Sequence, residues 1–533
     1  MRAVLRACEP IDVVKPARDR AGEVDSAMDA AACERARQAR DARFDGRFYI
    51  GVLTTGVYCR PICPVRQPRR ENVRFFRSAA AAAEAGFRPC LRCRPESSPG
   101  TPLALGTGAT LRRALRLIDE GALDRGSVEG LAARLGIGAR HLVRLFDRHL
   151  GTSPNRVAQT RRLHLAVKLL HETDLPMTQI AHAAGFGSLR RFNEAIRGAY
   201  RRPPRSLRHR RTPGTDRSLR LQLAYRPPLD WRRLHAFLAL RAVPGIEEVD
   251  QDGYRRTIAL GGRHGVIEVR PLANTHKLEL TVDVPDLGAL ATLVARARSA
   301  FDLDADPLAI ERDLGTDPLL GRLVVASPGL RVPGVWDGFE LAVRAVLGQL
   351  VSVLAARTLA ARLVARFGAP LGKRSRGGLT HAFPSPQVLA CARLTGLGIP
   401  AARAAAIRAI ARGVADGQLE LASASDLGSL VRALQTLPGI GPWTAQYIAM
   451  RAGGQPDAFP GGDLGLRRGA AACLGRSDGA LTAAELEHHA ERWRPWRAYA
   501  AMHLWAVYAE LPRRRLRADR FRLHTAPDDR SQR

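Results

Sequence analysis

The chain has 533 residues and a mass of 58.0 kDa, room for roughly three to five domains. With 46% hydrophobic and 25% charged residues, it has the composition of a globular protein and not of a disordered one. Its net charge of +32 is carried almost entirely by arginine, since Lys15, Lys168, Lys277 and Lys373 are its four lysines, and such an excess points to a polyanionic partner, most simply nucleic acid.

Residues 1–27 show no clear period and read as a loose, disordered extension or an over-called start. Glu9, Asp12 and Asp19, with no apolar run beside them, exclude a signal peptide there. Helical spacing begins at Met28 and leads into a cysteine-bearing segment, so a first domain is expected over 28–97. SSPGTPLALGTG (97–108) is a turn-rich linker. Short helices with glycine turns fill a second domain, 103–209, and 201–220 is an arginine- and proline-rich linker. Within 218–300 the runs LRLQLAY, RRTIAL, GVIEVRP and KLELTV alternate as strands around one helix near 230–241. Residues 301–512 read as helical, and 513–533 as a frayed basic tail. The most apolar stretch, 341–364, is broken by Arg344, Arg357 and Arg362, so no membrane span is expected.

Four of the eight cysteines cluster as Cys59-x3-Cys63 and Cys90-x2-Cys93. Two close pairs with a mid-length spacer suit four thiolates around one Zn2+. A purely structural zinc ribbon is the plain reading of such a quartet. The flanks, DARFDGRFYIGVLTTGVYCRPICPVRQPRRENVRFF and AAEAGFRPCLRCRPE, resemble the zinc domain of Ada-type DNA methyl-phosphotriester repair proteins over about 41–96. The resemblance implies that Cys59 accepts a methyl group from a DNA phosphotriester. The chemistry is coherent: zinc holds sulfur as thiolate, the nucleophilic form. Methylation removes one negative charge and so raises affinity for DNA, which makes repair a switch. Arg60, Arg66, Arg69, Arg70 and Arg74 lie where they can meet phosphates.

SVEGLAARLGIGARHLVRLFDRHLGTSP (127–154) and MTQIAHAAGFGSLRRFNEAIRGAYRRPP (177–204) form an internal repeat, with Gly136 and Gly185 at equivalent turns. The pattern resembles the AraC-type DNA-binding domain, two helix-turn-helix units joined by a long helix near 155–172. Recognition helices are expected at 139–150 and 188–199, with Arg140, Arg144, Arg190 and Arg191 facing groove or phosphates.

LPGIGPWTAQYIAMR (437–451) has helix-hairpin-helix form, and Gly439 and Gly441 bare backbone N–H groups that can hold a phosphate without reading sequence. FPGGDLGL (459–466) follows. This order resembles the helix-hairpin-helix glycosylases, and over about 218–510 the chain is similar to AlkA-type 3-methyladenine DNA glycosylases. The resemblance implies Asp463 as catalytic carboxylate and Leu350 as the wedge that fills the gap left by a flipped base. It implies Trp443, Tyr447, Trp505 and Phe237 as pocket rings, and a monovalent cation held by the carbonyls of Gln435, Leu437 and Gly439. An electron-rich pocket draws a cationic, alkylated base by cation–π attraction. Asp457 is the competing carboxylate, and an N-cap is the plain role for Asp463. Trp493 and Trp496 read as core, and His503 as a packed surface histidine. Bifunctional relatives carry a Schiff-base lysine where Trp443 stands, so a hydrolase without lyase activity is expected. Cys391 and Cys473 lack the Pro-Cys-His context of O6-alkylguanine methyltransferases, and that activity is not assigned.

The expected fold is multidomain and mainly α: a small zinc-bound α/β domain, an all-α double helix-turn-helix domain, a small α+β antiparallel-sheet domain and an all-α glycosylase domain. The expected function is repair of DNA alkylation joined to a methylation-switched regulator. It needs no organic cofactor, takes RNA polymerase as partner if an activator, and acts as a cytoplasmic, nucleoid-associated monomer. The alternative is a regulator whose glycosylase-like half is catalytically silent and only binds DNA.

Overall fold

In the computed structural model, residues 30–100, 109–208, 218–260, 262–285, 287–372, 375–421, 426–476 and 479–524 are described; the expected extension 1–27 lies outside them. Aromatic and β-branched residues between Phe48 and Phe76 form three short antiparallel strands, β1 (Tyr49–Val52), β2 (Val57–Cys59) and β3 (Val73–Phe76). A fourth, β4 (Arg88–Pro89), pairs in parallel with β2, and the order is β3-β1-β2-β4. The Ala30–Ala39 helix buries Cys33 and Ala36 against Phe48, Ile50 and Phe75.

The repeat forms two helix pairs, Val128–Arg134 with Ala139–Leu150 and Met177–Ala183 with Leu189–Tyr200. Gly136 (φ +70°) and Gly185 (φ +86°) adopt the left-handed backbone that ends each first helix. Ser127 and Ser188 cap helices by accepting from the N–H groups of Gly130 and Arg191. The Pro154–Glu172 helix joins the two pairs.

The next sheet is antiparallel and has five strands, one more than the alternation of the sequence shows: β5 (Leu219–Ala224), β6 (Glu247–Val249), β7 (Tyr254–Leu260), β8 (Arg263–Pro271) and β9 (Lys277–Asp283), in the order β5-β9-β8-β7-β6. The extra strand, β6, is a three-residue edge whose two glutamates hide any alternation. A second feature absent from the helical reading is the hairpin of β10 (Ala369–Pro370) and β11 (His381–Ala382). The final helix, Arg497–His524, runs through half of the segment expected to fray.

The second helix-turn-helix unit and the small sheet domain share one apolar core. Leu169, Leu170, Ile180, Phe192 and Ile196 from the former pack in one cluster with Leu221, Ile267, Leu280, Phe301 and Trp336 from the latter. Polar contacts follow the same seam. Lys168 pairs with Glu172 at 3.0 Å and donates to the Gln222 carbonyl, while the Gln222 N–H donates to Glu172 at 3.0 Å. One turn earlier on the helix, Tyr58 bonds His164 at 3.1 Å, and burial pushes the His164 imidazole down to about 4, so it sits neutral. Leu169→Ala removes a fully buried side chain from this shared core. We expect a loss of about 2–5 kcal/mol, with calorimetry showing the sheet domain and the helix-turn-helix domain losing stability together.

Candidate functional site

Cys59 ends β2, and the parallel register that sets Tyr58 beside Pro89 brings Cys90 next to it; the Cys90 N–H donates to the Tyr58 carbonyl at 3.0 Å. Tight turns after each add Cys63 and Cys93. The four sulfurs are buried and lie within 4.8 Å of one another. Without a cation the neighbouring sulfurs of Cys63, Cys90 and Cys93 push the Cys59 thiol up; a dication is what lets four thiolates share so small a space. The donor set and its spacing fit one tetrahedral Zn2+.

Arg60 departs from expectation. It is 7% exposed, its Nε donates to Asp45 at 2.9 Å, and its Nη1 donates to the Cys93 carbonyl at 3.0 Å. Its backbone N–H donates to the Cys93 sulfur at 3.3 Å. It therefore braces the cysteine turns and is not free for DNA phosphates. Arg66, Arg69 and Arg70 are exposed and Arg74 is half-buried.

In the recognition helices Leu142, Phe146 and Leu150, and likewise Phe192, Ile196 and Tyr200, point inward. The opposite faces expose Arg140, Arg144, Arg190 and Arg191, with Arg190 paired to Glu194 at 2.9 Å.

The hairpin joins the Leu427–Gln435 and Pro442–Arg451 helices, with Gly439 at φ +76° and Gly441 as the N-cap before Pro442. Pro438, Gly439 and Gly441 are exposed. Of the carbonyls expected to hold a cation, Leu437 accepts from the Ile440 N–H at 3.3 Å and Gly439 from the Gln349 amide at 2.9 Å, and each keeps a second lone pair. Gln349 also bonds Thr444 at 2.9 Å, and so ties the hairpin to the next residue in its own loop, Leu350. Leu350 is 100% exposed at φ +55°. A leucine held in left-handed backbone and given wholly to solvent is costly on both counts, which suits a side chain that inserts elsewhere.

Asp463 caps the Leu464–Cys473 helix, its Oδ1 accepting from the Leu466 N–H at 3.0 Å. Two indole N–H groups also grip it, Trp505 on Oδ1 and Trp443 on Oδ2, each at 2.9 Å. The N-cap bond and the two indole contacts thus coexist. Tyr447 stacks on Trp443 with ring centroids 5.3 Å apart and planes 10° apart, and meets Trp505 edge-on at 6.3 Å. The sequence brings these rings and the carboxylate together as expected. Phe237 reaches the group through cations: Arg241 lies 3.7 Å and Arg451 4.9 Å from its ring centre, and Arg451 lies 5.6 Å from that of Tyr447. Two of the four rings, Phe237 and Tyr447, therefore already face a guanidinium. Asp457 is engaged by Arg494 and Arg497 instead. Trp493 and Trp496 are buried, as expected. His503 is buried too, at 5% exposure and not at the surface; its pKa is lowered to about 4, by burial first.

Four family models match consecutive stretches of the chain: the metal binding domain of Ada over 32–96, a helix-turn-helix domain over 131–210, the AlkA N-terminal domain over 220–337, and the HhH-GPD superfamily base excision DNA repair protein over 343–495. The chain is 45% identical over 482 residues to the probable bifunctional transcriptional activator/DNA repair enzyme AlkA of Mycobacterium tuberculosis, which covers 89% of this chain and 96% of that protein. It is 37% identical over 286 residues to DNA-3-methyladenine glycosylase 2 of Escherichia coli, covering 53% of this chain and 95% of the relative. It is 36% identical over 145 residues to the bifunctional transcriptional activator/DNA repair enzyme Ada of Escherichia coli, covering 27% of this chain and 40% of the relative.

One consequence of the zinc-domain geometry is open to direct measurement. Arg60→Met strands the buried Asp45 without its partner. It should cost about 3–5 kcal/mol, read as zinc release to a chromogenic chelator at lower urea than in the wild type.

Proposed function

The chain belongs to the family of bifunctional AlkA-type proteins, in which an Ada zinc domain and a helix-turn-helix regulator precede a helix-hairpin-helix glycosylase, and from that premise we propose that it hydrolyses alkylated purines such as 3-methyladenine out of DNA at Asp463, removes methyl groups from DNA phosphotriesters at Cys59, and activates transcription once methylated. The observation that carries the first part is the double indole grip on Asp463, which fixes a carboxylate beside the stacked rings of Trp443 and Tyr447.

The exposed hairpin offers backbone N–H groups at a helix start to a phosphate, and Leu350 enters the stack as the damaged nucleotide leaves it. The base rests against Trp443, Tyr447 and Trp505. The C1′–N bond breaks and its electron pair goes to the base. Asp463 stabilises the positive charge that grows on the sugar and orients the water that adds to C1′. Tryptophan at position 443 offers no amine, so the reaction ends as hydrolysis, with no Schiff base and no strand cleavage. The carbonyls of Gln435, Leu437 and Gly439 offer a monovalent cation a place beside the hairpin.

In the zinc domain, Cys59, Cys63, Cys90 and Cys93 hold Zn2+, which when bound supplies thiolate character at neutral pH. The Cys59 sulfur forms a bond to the methyl carbon; the methyl C–O bond breaks, and the phosphate keeps its electron pair as an ordinary diester. The zinc site has then lost one negative charge, and the arginine faces of the recognition helices meet DNA with less opposition. In this state the chain, a monomer in the cytoplasm and at the nucleoid, engages RNA polymerase.

Asp463→Asn should lower 3-methyladenine release on the order of 100-fold or more, assayed by chromatography of released bases. Undiminished release would remove the catalytic role of Asp463, and no release from the wild type would leave a regulator with a silent glycosylase half. For the sensor, intact-protein mass spectrometry after incubation with methylated DNA should show one added methyl in the wild type and none in Cys59→Ala. Transfer that persists in Cys59→Ala but disappears with another cysteine reassigns the acceptor.

A further inference from the structure

Near the stacked Trp443 and Tyr447 rings lies a cluster of four buried or half-buried arginines and two glutamates around a cavity of about 30 Å³. Arg256 pairs with Glu340 at 2.5 Å, and Arg344 with Glu247 at 2.9 Å and Glu340 at 2.8 Å. These pairs use up both carboxylates. Arg241 and Arg451 meet no carboxylate among the described residues. Arg451 donates to the Pro333 carbonyl at 2.8 Å, the Gly334 carbonyl at 3.2 Å and the Tyr447 hydroxyl at 2.8 Å. Arg241 donates to the Phe237 carbonyl at 3.4 Å, and its charge also acts on the Tyr447 phenol. The cluster thus carries two positive charges in excess, and both act on one phenol. Burial pushes the Tyr447 phenol up, but the guanidiniums of Arg451 and Arg241 outweigh it and leave its pKa below the ordinary tyrosine value.

An oxygen that accepts from the Arg451 guanidinium, with a second cation nearby, has its proton left to give. Tyr447 also stacks on Trp443, whose indole holds Asp463, so the donor stands one ring away from the catalytic carboxylate. We propose that Arg241 and Arg451, acting through the Tyr447 hydroxyl, form a sink for the electron pair that a departing base takes with it, and so select lesions by leaving-group charge. The inference rests on the glycosylase reading above. A cationic lesion leaves as a neutral base and has little use for such a sink. An uncharged lesion leaves as an anion, and a hydrogen bond from Tyr447 backed by two buried cations stabilises that charge as it forms. The base then takes a proton from solvent, while the water that adds to C1′ gives one to Asp463. Net positive charge behind the rings works against a cationic base in the ground state, so the arrangement favours uncharged lesions relative to what aromatic walls alone would select. Tyr447 is the catalytic residue here, and Arg241 and Arg451 are positioning residues.

The test uses the full chain with two duplexes, one bearing a single 7-methylguanine, a cation, and one a single hypoxanthine, which is uncharged. Single-turnover release rates and duplex affinities are measured for the wild type, Arg241→Gln, Arg241→Lys and Tyr447→Phe. In Arg241→Gln and in Tyr447→Phe the hypoxanthine-to-7-methylguanine rate ratio should fall at least tenfold, with the loss in rate and not in duplex affinity. Arg241→Lys, which keeps the charge, should recover most of it. A ratio that stays put, or two rates that fall in proportion, overturns the sink. Release of 7-methylguanine but no hypoxanthine by the wild type overturns it too and leaves the glycosylase standing, whereas release of neither base sinks the glycosylase reading itself.

Discussion

Lys168 and Glu172 stand one turn apart on the long helix of the helix-turn-helix domain, and both reach the backbone of Gln222 in the first strand of the small sheet. Charges so buried are tolerable because each is paired and hydrogen-bonded. Around them the leucines of that helix and the inward face of the sheet merge into one core. The same helix touches the zinc domain at Tyr58 and, through His171, approaches Glu96 at 3.6 Å. Further along, Arg116 donates to the Gly453 carbonyl at 3.2 Å, just past the hairpin helix. One helix-turn-helix domain thus touches every other domain of the chain, and the placement of the two chemical centres follows from its packing.

The two centres solve opposite electrostatic problems. At the cysteines, four groups that repel when ionised must be held together, and buried Arg60 shares the task by bracing the turn from which Cys93 projects. At Asp463 a single carboxylate must keep one orientation while remaining half-open to a substrate. Two indoles and a helix N-terminus achieve that without a counter-ion that would cancel its charge. The excess cations stand farther back, against the Phe237 and Tyr447 rings and away from Asp463.

Much of this was legible in the sequence, and for a local reason. Metal-ligand spacing, the glycine turns of the repeat and the Pro-Gly hairpin each occupy a short window, so the quartet, the paired turns and the hairpin could be named from it, whereas Asp463 and its rings were named through the resemblance to the glycosylases. What escaped depends on partners remote in sequence. Arg241 and Arg451 are 210 residues apart, and nothing local marks them as converging on one phenol. Arg60 looks like any basic surface residue until Asp45 comes in from β1's side of the domain and buries it. His503 is buried by contacts remote in sequence, and β6 is too short and too acidic to alternate. Gln349 did carry a faint signal, since it precedes the wedge leucine, but its reach to the Gly439 carbonyl needs the folded loop.

The merged core has a consequence for dosage. A thiol that takes up a methyl group is consumed, whereas a hydrolytic pocket turns over, and separate polypeptides could be supplied in any proportion. Here a ribosome that stopped after residue 208 would release leucines and phenylalanines with nothing to cover them, and one that started at 218 would leave half a sheet face bare. Stoichiometry is therefore written into the packing: each zinc domain comes with one glycosylase domain, folded as one unit.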